Sequence, residues 1–508
     1  MRRFLLVGCL ASTVGCAGQR VVLPTGHLPA AAVARDARTA DVMASSPAPP
    51  PPKAGGAKPF DLPPALTGSR TPEAAPPRFD KDTPAAERER RTRAAYPTLT
   101  PVGGEVPATD RVSSLAEFQE LARTQSPVVQ KAVADAAAAY GRVVQAGLYP
   151  NPTIGYQVDQ WQPGPKPLPL NNPGQQGGFI NQLIKTAGKL SLAQRVAGYD
   201  YVNALVAVRR AEVDVTAAVR SQYFAALVAQ ESLRVNAALA KVADEVYELQ
   251  LQKVASGLDE PYKPKPLYAQ AVQARNAVVQ AQAAYRAAWR QLAAAVGQPD
   301  LPQGTLSGRA DAPAPVYDAE AVRPLLENHT DLLTARNTVG QAMVNLTLQR
   351  RIPIPDLQTN QYHQYDNAAQ NYQFGLQIGV YLPIADRNQG NIRAASAQIA
   401  SATAGLAAAQ NSLVGRLAEA FARYDANQQV AANYRDKILP SYTQAYRATA
   451  LQFQTEPDKV GFNDIVVAQQ NVGVALQAYL AALGAQWQAV VDVAAILQLD
   501  ELYPASNP

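Results

Sequence analysis

The sequence predicts a mainly α-helical chain in which a helix–strand–strand–helix–helix unit occurs twice. Three observations carry that reading. Of 40 prolines, 17 fall in residues 1–110, and none falls in 174–260, 384–439 or 458–503. Those proline-free stretches are rich in Ala, Gln and Val and are far longer than ordinary helices; Ala is the best helix former and Pro the worst. The same order of elements recurs at an offset of about 200 residues, the kind of long period that defines an architecture before any local motif does. Finally, residues 372–382 alternate strictly between apolar and polar or glycine residues, the pattern of a two-faced strand.

In the first unit a helix is expected over 112–147, then the strand start Tyr149–Pro150–Asn151–Pro152, two short strands near 153–161 and 177–185, and the turn Thr186–Ala187–Gly188–Lys189. A long helix follows, on the order of 100 Å at ~1.5 Å per residue, then a turn at 256–266 and a returning helix to about 296. The second unit repeats this. Its helix covers 318–350, its strand start is Ile352–Pro353–Ile354–Pro355, and its strands lie near 355–364 and 372–382. The turn Asp386–Arg387–Asn388–Gln389–Gly390 leads into a long helix, a turn at 455–462 and a return to about 497.

In the strand 372–382, Tyr372, Phe374, Leu376, Ile378, Val380 and Leu382 share one face, and Gln373, Gly375, Gln377, Gly379 and Tyr381 the other. Its length suits a tilted membrane-spanning strand, which takes about 9–11 residues. Apolar residues outward and Gln/Gly inward is what a barrel with a wet lumen requires. Segment 153–161 alternates more weakly, and 177–185 and 355–364 poorly. Four strands cannot close a barrel. Either the sheet is open and soluble, or several chains contribute strands to one barrel.

Composition removes other function classes. The His at 27, 329 and 363 and the Cys at 9 and 16 have no zinc-finger or metalloprotease spacing. No apolar run reaches the roughly 18 residues of a spanning helix. The net charge of +5 comes from the amino-terminal part, with 14 Lys/Arg and 10 Asp/Glu in 1–110 against 32 and 31 in the rest. A nucleic-acid binder carries its basic stripe on the folded body. The one dense run, Arg88–Glu89–Arg90–Arg91–Thr92–Arg93, reads as a solvated linker, so no nucleic-acid partner is expected. Gly188–Lys189–Leu190–Ser191 lacks the glycine and hydroxyl of a phosphate loop. His363, near Asp366, reads as a loop-surface histidine, and no arrangement supports catalysis, a cofactor or a resident metal.

The basic start Met1–Arg2–Arg3, the apolar Phe4–Leu5–Leu6–Val7 and the small residues up to Cys16 read as a secretory signal, 1–16. Thr13–Val14–Gly15–Cys16 resembles a bacterial lipobox, which implies that Cys16 is lipidated and Cys9 discarded; Ala17 after it implies the outer membrane. The alternative is an ordinary signal peptide with an incidental cysteine. Residues 17–110, with Pro49–Pro50–Pro51–Pro52 and no apolar periodicity, are expected to be disordered. The remaining expected boundaries are 111–300 and 318–500 for the two repeats, 301–317 for a linker between them, and 501–508 for a tail.

The Tyr149–Pro150–Asn151–Pro152 start, the Gly188–Lys189 turn and the stretch Leu382–Pro383–Ile384–Ala385–Asp386–Arg387–Asn388–Gln389–Gly390 resemble the TolC-type outer-membrane efflux proteins over about 111–500. The Asp386–Gly390 turn resembles the branch serving cation-efflux pumps. The resemblance implies a fold that is mainly α with a membrane β-barrel. It implies a homotrimer in which each chain gives four strands to a twelve-stranded barrel in outer-membrane lipid, continuous with a periplasmic α-helical barrel. It further implies a gated passive conduit fed by an inner-membrane pump through a periplasmic adaptor. The adaptor would dock at the helix tips 253–266 and 453–464, with Ser256, Gly257, Asp458 and Lys459 at their ends. Phe462–Asn463–Asp464–Ile465–Val466–Val467 is similar to the family's pore-closing stretch of two aspartates three residues apart. Asp464 matches the first and Val467 stands at the second. Read from the residues alone, Asp464 is equally a helix-start carboxylate favoured by the helix dipole, and Lys459 and Asp458 are candidate partners for it. Tyr372, Phe374, Leu376, Ile378 and Val380 are the expected lipid face. A type I secretion duct would share this fold, and a non-conducting helical envelope lipoprotein is the reading from another class.

Overall fold

The computed structural model describes residues 83–100, 112–159, 174–456 and 459–503, together with Pro77 and Phe79. The chain divides into two units, Met1–Glu73 and Ala74–Pro508, the first of which lies outside the described residues. Within the second, the elements in chain order are α1 (Ala85–Ala95), β1 (Val112–Ser113), α2 (Leu115–Gln125), α3 (Pro127–Ala146), β2 (Thr153–Asp159), β3 (Gln175–Ile184), α4 (Lys189–Ala255) and α5 (Pro264–Val296). β4 (Thr305–Leu306) lies between the repeats, and the second repeat holds α6 (Ala319–Val322), α7 (Thr330–Arg351), β5 (Leu357–Asp366), β6 (Asn371–Val380), α8 (Gln389–Asn433), α9 (Leu439–Thr455) and α10 (Phe462–Ile496). A 3-10 segment, Arg323–Asn328, follows α6, and a π-helical turn, Tyr434–Ile438, joins α8 to α9.

The helix expected first in each repeat is broken. In the first, Pro127 opens α3, where its fixed φ suits a first helical turn and its missing N–H is not needed. Ser126 stays extended between the two helices, as the residue before a proline does. In the second, Pro324 falls in the 3-10 segment, and the extended His329 restarts the chain as α7 by accepting the Asp331 N–H on Nδ1 at 3.1 Å. The long helices form as expected. α4 runs 67 residues without interruption, and α8, the π-helical turn and α9 supply the equivalent span in the second repeat.

The core lies around the middle of the long helices. Phe224 of α4 and Trp487 of α10 stack with ring centroids 4.0 Å apart, and the Trp487 Nε1–H donates to Ala310 O at 2.8 Å. Tyr285 of α5 donates to Gly304 O at 2.6 Å, while the Gln230 side chain accepts the Leu306 N–H at 2.9 Å. Tyr317 N–H donates to the Tyr424 hydroxyl and Tyr317 OH to Leu502 O. The segment expected to be a linker, 301–317, is therefore fastened into the core, and its β4 pairs in parallel with β1. Leu502, in the expected tail, is buried as well.

α10 is by length and apolarity able to cross a membrane, in contrast to the expectation from apolar runs, yet more than half of its most apolar window is buried among these helices. It is a core helix.

α1 is the other departure. The charge run read as a solvated linker forms its helix, with Glu87 bridging Arg90 and Arg91, Glu89 bridging Arg93, and Thr92 fully buried. Single-turn pairing of Glu with Arg three and four residues on supports a helix that has no apolar stripe.

Replacing Trp487 by Ala removes the Phe224 stack and leaves Ala310 O without its donor. The expected cost is about 3–5 kcal/mol, the usual range for truncating a buried aromatic, read as a lower denaturation midpoint with helical content unchanged below it.

Candidate functional site: a two-faced sheet and two helix tips

β2, β3, β5 and β6 form one antiparallel sheet in the order β2–β3–β5–β6. Directly opposed residues in a ladder share a face, so the register assigns both faces. One face carries the rows Ile154–Ile180–Gln361–Leu376, Tyr156–Gly178–His363–Phe374 and Val158–Gln176–Tyr365–Tyr372. The other carries Gly155–Phe179–Tyr362–Gly375, Gln157–Gly177–Gln364–Gln373 and Asp159–Gln175–Asp366–Asn371. The first is largely apolar and aromatic and the second largely amide, glycine and carboxylate. Tyr372, Phe374, Leu376, Ile378 and Val380 all lie on the apolar face and are exposed, Tyr372 and Phe374 each by 72 %. An exposed apolar band of this extent requires a cover.

β3 and β5, whose alternation is weak in sequence, hold their places through their neighbours. On the polar face Phe179 lies across Gly155 and Tyr362 across Gly375; a Cβ on Gly375 would come within 1.9 Å of the Tyr362 ring. Gln364 donates to Asp159 at 2.9 Å, and Gln175 and Gln373 to Asp366 at 3.0 and 3.1 Å. His363, expected on a loop surface, instead sits inside β5 on the apolar face, its ring stacked on Tyr372 at 5.5 Å. The strand expected to run to 382 ends at Val380, leaving Tyr381 and Leu382 in the following turn.

All four strands join their helices at the same end of the sheet, and there the two repeats are tied together. Asp356, just before β5, takes Lys189 Nζ at 2.8 Å, Lys185 Nζ at 2.9 Å and the Thr186 N–H at 3.1 Å. Lys189 also donates to Ile354 O. Burial by itself would raise the Asp356 carboxyl, but the hydrogen bonds from Lys189, Lys185 and Thr186 outweigh it and hold it at about 2. The turn Thr186–Lys189 thus grips the strand start of the other repeat, an interaction no spacing in the sequence announces. Its counterpart, Asp386–Gly390, turns on Asn388 (φ 58°) rather than on Gly390, which is already inside α8. Asn388 tolerates the left-handed conformation because its side chain bonds locally, accepting from the Asn391 side chain three residues on, and it also donates to the Gln349 backbone oxygen of α7 at 2.8 Å.

At the opposite ends of the long helices are the two tips. α4 closes on Ser256 and the left-handed Gly257 (φ 76°), with the Leu258 N–H returning to Lys253 O in the manner of a glycine-terminated helix. Ser256 and Gly257 are exposed, as are Leu258 and Tyr262. At the second tip, the exposed Asp464 accepts the Gly461 N–H on Oδ2 at 2.8 Å and starts α10. Lys459 pairs with Glu456 at 3.2 Å and not with Asp464; Asp458 lies outside the described residues, as does Cys16. Lys253 of the first tip stands over the rings of Phe453 and Phe462 at 4.8 and 4.3 Å and joins the two tips, a contact sequence reading missed. Only the pairing of a long-range cation with two aromatics could have flagged it, and none of the three is paired in the sequence.

The outer membrane efflux protein family matches residues 119–298 and 321–497, most of both repeats. The chain belongs to the outer membrane efflux protein family. It is accordingly a transport protein of the outer membrane. Among curated relatives, the cobalt-zinc-cadmium resistance protein CzcC of Cupriavidus metallidurans is 26 % identical over 363 residues, 70 % of this chain and 83 % of that protein. The open-state MtrE outer membrane channel of Neisseria gonorrhoeae superposes with a TM-score of 0.63 at 17 % identity, over 79 % of this chain and 97 % of that one. The outer membrane protein VceC of Vibrio cholerae gives 0.61 at 18 %, over 76 % and 96 %. These structures share the fold of this chain.

The Asp356 cluster sets a pH dependence. Because the folded-state pKa lies below the model-peptide value, its stabilisation is present above about pH 4 and is lost as pH falls toward 2, worth roughly 2 kcal/mol. Thermal melts at pH 7, 4 and 2.5 are expected to show that acid loss in the wild type and a smaller one in Asp356→Asn, which is already weakened at pH 7.

Proposed function

We propose that this chain is the outer-membrane channel of a tripartite efflux system, passively conducting substrate to the outside through a homotrimeric pore. The observation that carries the reading is the sheet: apolar on one face, amide-rich on the other, and, among the described residues, unpaired at both edges, β2 and β6. Lipid supplies no partner for edge N–H and C=O groups, so strands cross a membrane only as a closed barrel. Three copies give twelve strands, bury every edge, turn the Tyr372–Val380 face to lipid and enclose the Gln and Asp rows as a wet lumen. The long helices then extend into the periplasm as an α-helical barrel. Their tips at Ser256–Gly257 and Asp458–Lys459 meet a periplasmic adaptor joined to an inner-membrane pump, which supplies the energy.

The named relative acts in resistance to cobalt, zinc and cadmium, and divalent cations are the substrate class proposed for this chain, with small molecules as the alternative cargo. The Gln- and Asp-lined polar face favours cations without holding them. Cys16 is proposed as the lipidated residue that adds an anchor to the membrane, following the secretory signal. Asp464 is proposed to stand at the periplasmic opening. Its bond to Gly461 fixes the carboxylate at the helix start, and three such groups around a narrow pore repel one another and attract cations.

Detergent-stable trimers and conductance in planar bilayers are the expected result; monomers without conductance would instead support a non-conducting envelope lipoprotein. Phe374→Arg, on the lipid face, should cost about 2–4 kcal/mol in membrane stability, as a charge near mid-bilayer does, and should abolish trimer insertion. Gln373→Arg, one residue away on the opposite face, should insert normally and reduce cation preference. Equal effects of the two would refute the assignment of faces. For the gate, Asp464→Asn is expected to lower cation selectivity of the closed channel severalfold through loss of the charged ring; unchanged reversal potentials would remove Asp464 from the opening.

A further inference from the structure

The first helix tip has a neighbour that the repeat does not provide. α1 and the extended stretch after it lie along the last turns of α4. Thr92 is fully buried there, and Tyr96 packs with Tyr247 and Leu251 in a small core separate from the main one. The Tyr96 hydroxyl donates to Pro261 O, the Tyr247 hydroxyl to Pro97 O at 2.9 Å, and Arg275 reaches both Asp244 and Thr100. The segment therefore starts at the tip and climbs the groove between α4 and α5. Arg88 stands directly over the tip glycine: a Cβ on Gly257 would come within 2.6 Å of its guanidinium. No corresponding helix lies on the second tip among the described residues.

The contact is specific but weakly held. α1 has 11 residues, fewer than the ~12–15 a helix needs to be marginal by itself in water. Pro84 at its start gives no side-chain cap. Only Thr92 of the helix is fully buried, and the buried Arg88 Nε has no acceptor, a deficit that costs part of what the contact gains. A contact with these properties can open without disturbing the main core.

We propose that residues 85–100 are an intramolecular strap that occupies the helix-binding flank of the α4–α5 tip. A periplasmic partner helix must displace this strap to grip Ser256 and Gly257. The flank itself favours that occupant: the cleft there is lined by Glu248, Leu251, Gln252 and Ser256 of α4 together with Glu89, Thr92 and Arg93 of α1, a helix whose four Arg and two Glu make it basic. The competing segment is accordingly helical and, like α1, net basic. This inference rests on the adaptor-docking role proposed above.

The test uses the full chain as purified trimers, with Thr92→Arg and, independently, Tyr96→Ala to undock the strap. Hydrogen exchange of residues 247–258 is expected to speed up by about tenfold or more in both variants, since opening there becomes frequent; rates equal to wild type would overturn the strap. A fluorescent peptide of residues 83–100 should bind the variants saturably and leave wild type unlabelled; binding to neither variant would also overturn it. The purified periplasmic adaptor from the same host should then bind the variants about tenfold more tightly, because apparent affinity scales with the fraction of open sites. Equal or weaker adaptor binding alongside faster exchange would overturn the competition. Peptide binding with no adaptor binding to any form would leave the strap in place and overturn the adaptor-docking reading instead.

Discussion

The unpaired edges of the four-stranded sheet are the constraint on which the rest of the molecule depends. Among the described residues β2 and β6 each leave one side without a ladder, and both edge strands expose a row of large apolar side chains on one face. A soluble protein blunts such edges with charge, proline or a covering helix; β6 has none of these across Tyr372–Val380. In the proposed twelve-stranded barrel this four-stranded sheet is one third of the whole, and the other two copies would cover its edges. That explains why both repeats place their strand pair at one end of very long helices rather than inside the core.

Sharing a sheet between two repeats requires that they be fixed to each other where the strands begin. Asp356 does this. It belongs to the second repeat, but its partners Lys185, Thr186 and Lys189 are all from the first. A carboxylate with little exposure is tolerated only with such partners, and removing Asp356 leaves the two ammonium groups of Lys185 and Lys189 without their shared counter-charge. The result is a rigid corner between β3, β5 and the start of α4. Strand register is fixed at that corner, and in a sheet a slip of one residue would turn every apolar side chain to the opposite face.

Much of this was legible in the sequence where one rule acted alone. The strand 371–380 could be read because strict alternation has one interpretation, and α4 because nothing interrupts 67 residues. The legibility failed where partners decide. β3 and β5 alternate poorly, since Phe179 and Tyr362 face the polar side, and only the facing glycines 155 and 375 make room for them. His363 gave a loop signal from nearby polar residues, whereas its place is set by stacking on Tyr372 of the next strand. The breaks at Pro127 and Pro324 were visible as prolines, yet each lay inside a stretch expected to be a single helix. α1 was least legible, because its helix rests on Glu–Arg pairs and one buried Thr92, and low apolarity there resembled an unfolded segment.

The two repeats share a backbone plan and differ in how firmly each arm is held. α4 keeps buried side chains to its last turn, Tyr247, Leu251 and Val254, the first two packed with Tyr96 of the segment 85–100 and with Leu267 and Tyr268 of α5. In the second repeat the equivalent span is interrupted by the π-helical turn 434–438, beyond which α9 buries no residue at all. An inserted π turn shifts the helix face and often marks functional sites. Local stability follows the density of buried contacts, so the arm of the first repeat is the fixed member and α9 the loosely held one. The ties between them at the tip are Lys253 against Phe453 and Phe462, a contact of cation and ring faces that needs no exact geometry. A duplicated fold in which one arm buries side chains to its end, and the other packs along α10 without a fully buried residue, holds its two tips unequally beyond the core around Phe224 and Trp487.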